Sequence, residues 1–148
     1  MLHELHIEDL GVISSLELVL GDGLTVLTGE TGAGKTMLVE AISLLVGGRA
    51  DPTMVRVGAA EARVEGRFVA GDDEVVLARV IPADGRSRAY VNGRLATVAT
   101  LAEWAGDRRD FEFQRLHGMG EGLYERMVRE QGYHCRSYAP VGGHRDLL

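Results

Sequence analysis
The sequence predicts an α/β fold, with mostly antiparallel β-structure in its first hundred residues. One sign is the stretch Gly29-Glu30-Thr31-Gly32-Ala33-Gly34-Lys35-Thr36, of the form G-x-x-x-x-G-K-[ST]. An apolar run, Leu24 to Leu27, leads into it, and an apolar helical stretch, Met37 to Val46, leads out. Strand, glycine-rich loop and helix in that order make a phosphate-binding P-loop. A second sign is the density of turn signals outside this unit: Gly11, Gly21-Asp22-Gly23, Gly71-Asp72-Asp73, Asp84-Gly85 and Asn92-Gly93. Short strands fit between such turns, whereas a regular α/β alternation would need helices there.

The elements follow in chain order. Residues 2–20 read as two strands around a Gly11 turn, the second alternating from Ser15. Residues 24–28 are apolar on both faces and predict a strand at a sheet centre. The helix after the P-loop is apolar nearly all round, so burial between layers is expected, with Gly47-Gly48 as its C-cap. Residues 61–68 alternate as a half-exposed strand, and 74–81 follow as another strand beyond the Gly71-Asp72-Asp73 turn. Asp84-Gly85 and Asn92-Gly93 are hairpin signals on either side of a strand over 86–91. Thr97 caps a short helix that runs through Ala105 and stops at Gly106.

The P-loop carries the chemistry. Its glycines let backbone N–H groups turn inward, where they and the positive end of the helix dipole face an anion. Lys35 would reach the β- and γ-phosphates of a nucleotide, and the Thr36 hydroxyl would bind Mg²⁺. A nucleotide with Mg²⁺ is therefore expected, held by Gly29, Glu30, Thr31, Gly32, Ala33, Gly34, Lys35 and Thr36. Lys35 is the only lysine in the chain, which fits a position needing a compact point charge rather than a guanidinium fork.

Composition narrows the setting. Hydrophobic residues make up 45% and charged residues 26%, enough of each for a buried core in a soluble domain. A lone cysteine, Cys135, excludes a disulfide framework, and the scattered histidines do not suggest a metal site. The N-terminus lacks the basic and apolar regions of a signal peptide, and no apolar run is long enough to span a bilayer. A cytoplasmic location without membrane contact is expected. The net charge of −6 argues against a large sequence-independent nucleic-acid footprint.

Several stretches together resemble a known family. Leu2-His3-Glu4-Leu5-His6-Ile7, Gly11-Val12-Ile13, Gly23 through Thr36, Gly47-Gly48-Arg49-Ala50-Asp51 and Arg88-Ala89-Tyr90-Val91-Asn92-Gly93 carry the likeness. Residues 1–103 resemble the N-terminal part of the RecN family of bacterial DNA repair proteins, in the SMC-like group of ABC-type ATPases. The resemblance implies a truncated ATP-binding head, a partial P-loop NTPase of ABC/SMC type. Such a head dimerises around nucleotide and acts on DNA in double-strand-break repair. It also implies that Arg49, soon after the P-loop helix, couples DNA contact to ATP turnover; a solvated loop residue is the other reading. The family's glutamine loop, Leu-Ser-Gly-Gly signature, Asp-Glu strand end, switch histidine and coiled-coil arm are not found, so nucleotide binding with negligible hydrolysis by this chain alone is expected.

Past a polar junction at 104–110 the chain changes character. Residues 104–148 hold six of its eight aromatics and balance seven acidic with seven basic residues, against fifteen and nine in 1–103. Phe111 to Leu116, residues 120–130 and Tyr133 to Ala139 read as strand, helix and strand. Phe111 through Glu121 and Tyr138-Ala139-Pro140-Val141-Gly142 resemble the end of the proline dehydrogenase barrel of the bifunctional proline utilisation flavoenzymes. That likeness implies flavin contact for Gln114 and a proline-pocket role for Tyr138. One βαβ unit cannot close an eight-stranded barrel, so both residues are expected to be idle. A flavin-dependent fragment and a non-functional fusion of two gene pieces are the alternatives to an ATP-binding module.

Overall fold
The computed structural model describes residues 2–21, 24–28, 34–70, 72–106 and 135–140. Strands β1 (Leu2–Leu10), β2 (Ile13–Val19), β4 (Glu61–Ala70), β5 (Asp73–Pro82), β6 (Arg88–Val91) and β7 (Arg94–Ala96) form a six-stranded antiparallel sheet in the order β2-β1-β4-β5-β6-β7. A second sheet has two strands, β3 (Leu24–Thr28) and β8 (Cys135–Pro140), paired in parallel. The helices are α1 (Lys35–Leu45) and α2 (Val98–Gly106).

Local chemistry accounts for most of the large sheet. Gly11 takes φ 55° in the β1–β2 turn, and Asn92 and Gly93 both take positive φ, as the tightest hairpins require. Asn92 also exchanges bonds with β5: its N–H donates to the Val76 carbonyl, and its Oδ1 accepts from the Val76 N–H, each at 2.8 Å. On β1 the buried residues are Leu2, Leu5, Ile7 and Leu10, a spacing of three, two and three rather than strict alternation. A register shift between Leu2 and Glu4 and the positive φ of Asp9 supply the two odd steps.

The core lies between this sheet and α1. Leu38, Ala41, Ile42, Leu44 and Leu45 of α1 are buried with Leu5, Ile7, Val64, Phe68, Val75, Leu77 and Ile81 of the strands and Leu101 of α2. Gly66 makes the close approach possible, since a Cβ there would stand 2.6 Å from Leu45 Cδ1 and 3.0 Å from Leu2 Cδ1. The helix ends in a Schellman arrangement: Gly47 is left-handed, and the Gly48 N–H donates to the Ser43 carbonyl at 2.8 Å. Thr97 caps α2 as expected, its Oγ1 accepting from the Thr100 N–H at 3.1 Å.

Several expectations shift. The P-loop helix starts at Lys35 rather than Met37, because Gly34 offers no side-chain cap to mark the boundary. It is buried on one face, while Val39, Glu40 and Ser43 are only half-buried. Strand β3, expected at a sheet centre, has β8 as its one partner among the described residues. Parallel neighbours need long crossovers, and the described part of the chain offers one such strand. Strand β7 was not foreseen; its three residues are too few to show a period. Of the tail, the last predicted strand is seen as β8, whereas Phe111 to Leu116, the helix over 120–130 and Gln114 lie outside the described residues.

Candidate nucleotide site
Strand β3 delivers the chain to the P-loop at Thr28, and α1 receives it at Lys35. Gly29, Glu30, Thr31, Gly32 and Ala33 lie outside the described residues. The second half of the motif is defined. Gly34 is buried and left-handed, with φ 94° and ψ −4°, a conformation that disfavours any residue with a Cβ. Its carbonyl accepts the first helical bond, from the Leu38 N–H at 3.0 Å. Lys35 and Thr36 therefore occupy the first two positions of α1, Lys35 half-buried and Thr36 exposed.

Two electrostatic facts suit this end of the helix to an anion. Gly34 provides no side-chain cap, and the first turn of α1 contains no acidic residue. The backbone N–H groups at a helix start have no intrahelical acceptors, and the dipole places partial positive charge there. Lys35, the first residue of the helix, is a full positive charge in the same turn. The hydroxyl of Thr36 suits Mg²⁺, which prefers hard oxygen donors.

The bracing of this site was not anticipated from the sequence. The β1–β2 turn presses on the first turn of α1, for a Cβ on Gly11 would lie 2.4 Å from Met37 Sδ. That turn is tied to residues 54–56: Gly11 N–H donates to the Met54 carbonyl at 2.7 Å, and Arg56 N–H to the Asp9 carbonyl at 2.8 Å. Arg56 Nη1 donates to the Val12 carbonyl at 3.0 Å. Val12 and Val57 project beside these ties, the second fully exposed. The glycine at the β1–β2 turn was the one sequence signal for this bracing.

Arg49 sits elsewhere. It follows the Gly47-Gly48 cap, so the 11 residues of α1 separate it from the P-loop end. At 1.5 Å per residue that is roughly 16 Å, too far for one phosphate group to touch both. Arg49 is exposed, and its charge acts on Asp51. The Asp51 carboxyl is held below its ordinary range mainly by hydrogen bonds from the Thr53 N–H and hydroxyl, at 2.9 and 2.7 Å, with Arg49 a smaller influence. No helix among the described residues is long and apolar enough to cross a membrane.

With this geometry in place, the likenesses to known proteins are informative. The sequence profile of the AAA domain family matches residues 4–95, and that of the proline dehydrogenase family matches residues 92–148. The DNA repair protein RecN of Streptomyces coelicolor is 42% identical over 120 residues, which cover 70% of this chain and 21% of that protein. RecN of Mycobacterium tuberculosis H37Rv is also 42% identical, over 165 aligned residues covering 96% of this chain and 27% of the relative. The chain thus spans about a quarter of the length of these relatives. The tail is matched from two sides, by proline dehydrogenase and by the mycobacterial alignment; the latter's 165 positions exceed the 148 residues here and so include gaps. Among solved structures, an SMC head bound to the C-terminal winged-helix domain of ScpA superimposes with a TM-score of 0.62 at 26% identity, over 69% of this chain and 38% of the other. Homologous to the RecN proteins and built like the first part of an SMC head, the chain belongs to the AAA domain family.

Proposed function
We propose that residues 1–103 bind Mg-ATP through the P-loop, as the first part of an ATPase head that serves DNA double-strand-break repair and recombination. The observation that carries this reading is the left-handed Gly34, which sets Lys35 and Thr36 in the first turn of a helix with no acidic residue there. The RecN relatives supply the repair context. Gly29 to Ala33 would wrap the phosphates with backbone N–H groups, Lys35 would pair with the β- and γ-phosphates, and Thr36 would hold Mg²⁺. Bound Mg²⁺ would neutralise phosphate charge. Head dimerisation and DNA contact belong to the complete architecture, with Arg49 as the candidate for coupling DNA to the nucleotide. Residues 104–110 are a junction and 111–148 a separate piece, and the chain itself hydrolyses ATP negligibly.

Calorimetric titration of Mg-ATP into the chain tests the reading. Binding is expected in the wild type and absent from Lys35→Ala; a folded wild type that takes up no nucleotide overturns it. The proline dehydrogenase match at residues 92–148 supports a second reading, a flavin-binding remnant. Flavin absorbance in the purified chain would favour it.

A further inference from the structure
Away from the P-loop, the core contains a charge with too few partners. Arg79 on β5 is only 3% exposed, yet it lies on the same strand face as Val75, Leu77 and Ile81 of the hydrophobic core. Its neighbours across the sheet are Val64 on β4 and Ala89 on β6. Of its guanidinium nitrogens, Nη2 donates to Ser87 Oγ at 2.9 Å, whereas Nε and Nη1 are buried without a hydrogen bond among the described residues. Burial pushes the group below its usual range, but an arginine stays charged at any physiological pH. An uncompensated charge in the interior is strongly destabilising, so a compensating anion is expected close by.

The nearby carboxylates do not meet that need. Glu61 and Glu65 fall on the opposite face of β4 and pair with Arg88 and Arg63. Asp51, close in sequence to the residues above β5, turns its carboxylate onto Thr53. What adjoins Arg79 instead is a cleft of about 370 Å³ lined by Ala50, Pro52, Ile81, Gly85, Arg86 and Ser87. Ser87 forms part of its wall while accepting from Arg79, and its hydroxyl proton is left to donate to another group. Arg86, an exposed residue, belongs to the same lining.

We propose that this cleft, between the Ala50–Pro52 segment and the turn ending at Ser87, is an oxyanion site for a carboxylate or phosphate group. The anion accepts from Ser87 and Arg86, and its charge compensates Arg79 one side chain behind the wall. Arg86 and Ser87 line the cleft, Arg79 stands behind Ser87, and among the described residues no acidic side chain lines it. The site is independent of the P-loop reading.

The test uses the full chain carrying Lys35→Ala, which weakens any phosphate binding at the P-loop, and the variants at Arg79 and Ser87 assign the remaining effect to the cleft. Thermal unfolding is followed in inorganic phosphate, in acetate and in chloride of matched ionic strength. A rise in Tm of about 5 °C over chloride is expected at a tenfold excess over Kd. A rise in phosphate alone identifies phosphoryl groups as the ligand, and a rise in acetate identifies carboxylates. Arg79→Met should abolish the shift, Ser87→Ala should reduce it, and Arg79→Lys should retain part of it. Equal Tm values in all three salts overturn the proposal, as does a shift that survives Arg79→Met. Should Arg79→Met fail to fold, Ser87→Ala decides, and an undiminished shift in that variant overturns the site.

Discussion

The two sheets of this molecule are held by different means. The six-stranded sheet joins strands that follow one another through tight turns, apart from the β1–β4 pair, and α1 covers its inner face. The two-stranded sheet joins β3 to a strand more than a hundred residues further on, in parallel, with no turn between them. The first is a scaffold built from local contacts and a shared core. The second holds the approach to the P-loop, so the proposed chemistry hangs on the less supported of the two. Helix α1 links them: its first turn carries Lys35 and Thr36, and its later turns carry Leu38, Leu44 and Leu45 into the core of the large sheet. The proposed phosphate recognition at the helix start would therefore depend on packing at the helix end.

Leu45→Ala gives this dependence its hardest test. Leu45 is fully buried, and its Cδ1 fills the space that Gly66 leaves open on β4. The substitution is expected to cost about 2–5 kcal/mol, as for other buried leucines, measured as a fall in the urea midpoint with unchanged slope. Mg-ATP affinity should fall with it as the unfolded fraction rises. A variant as stable as the wild type would mean that α1 does not rest on the sheet as described.

The contrast between the sheets also decides what the sequence could reveal. Asp84-Gly85, Asn92-Gly93 and the Gly11 turn were legible because antiparallel pairing leaves a mark where the chain reverses. Parallel pairing leaves none, so residues 24–28 showed their apolar character but not their partner β8. The P-loop was legible for another reason: its glycines and the following Lys-Thr pair stand at the fixed spacing of that motif. Arg79 was hidden because a single polar residue in an apolar strand reads as an exposed position, and only its neighbours in three dimensions show it buried. The distance of Arg49 from the P-loop likewise emerges only once α1 is given its length.

Removing residues 107–148 separates the sheets directly. If β8 is what holds β3, amide exchange at residues 24–28 should quicken by more than tenfold, while β1, β4 and β5 keep their protection. The urea midpoint of the large sheet should hardly move. Undiminished protection at 24–28 would show that β3 is held by something other than β8, and the two regions would have to be regarded as one.

The smallest effect belongs to Asp51, which sharpens the comparison from the scaffold side. Its carboxylate caps the short 3-10 turn Pro52–Met54, and that turn leads to the Met54, Val55 and Arg56 ties that brace the P-loop end of α1. Because the folded-state value lies below 3.8, the carboxylate contributes stability above that pH and loses it as pH falls through the lowered value. Asp51→Ala should therefore lower Tm slightly at neutral pH, and the gap to wild type should close on acidification below pH 3.8. A gap that stays constant down to low pH would assign the loss to packing instead of the carboxylate. A gap of zero at neutral pH would mean that the backbone ties at Met54 and Arg56 hold this segment without the cap, leaving the bracing of the P-loop end to the main chain alone.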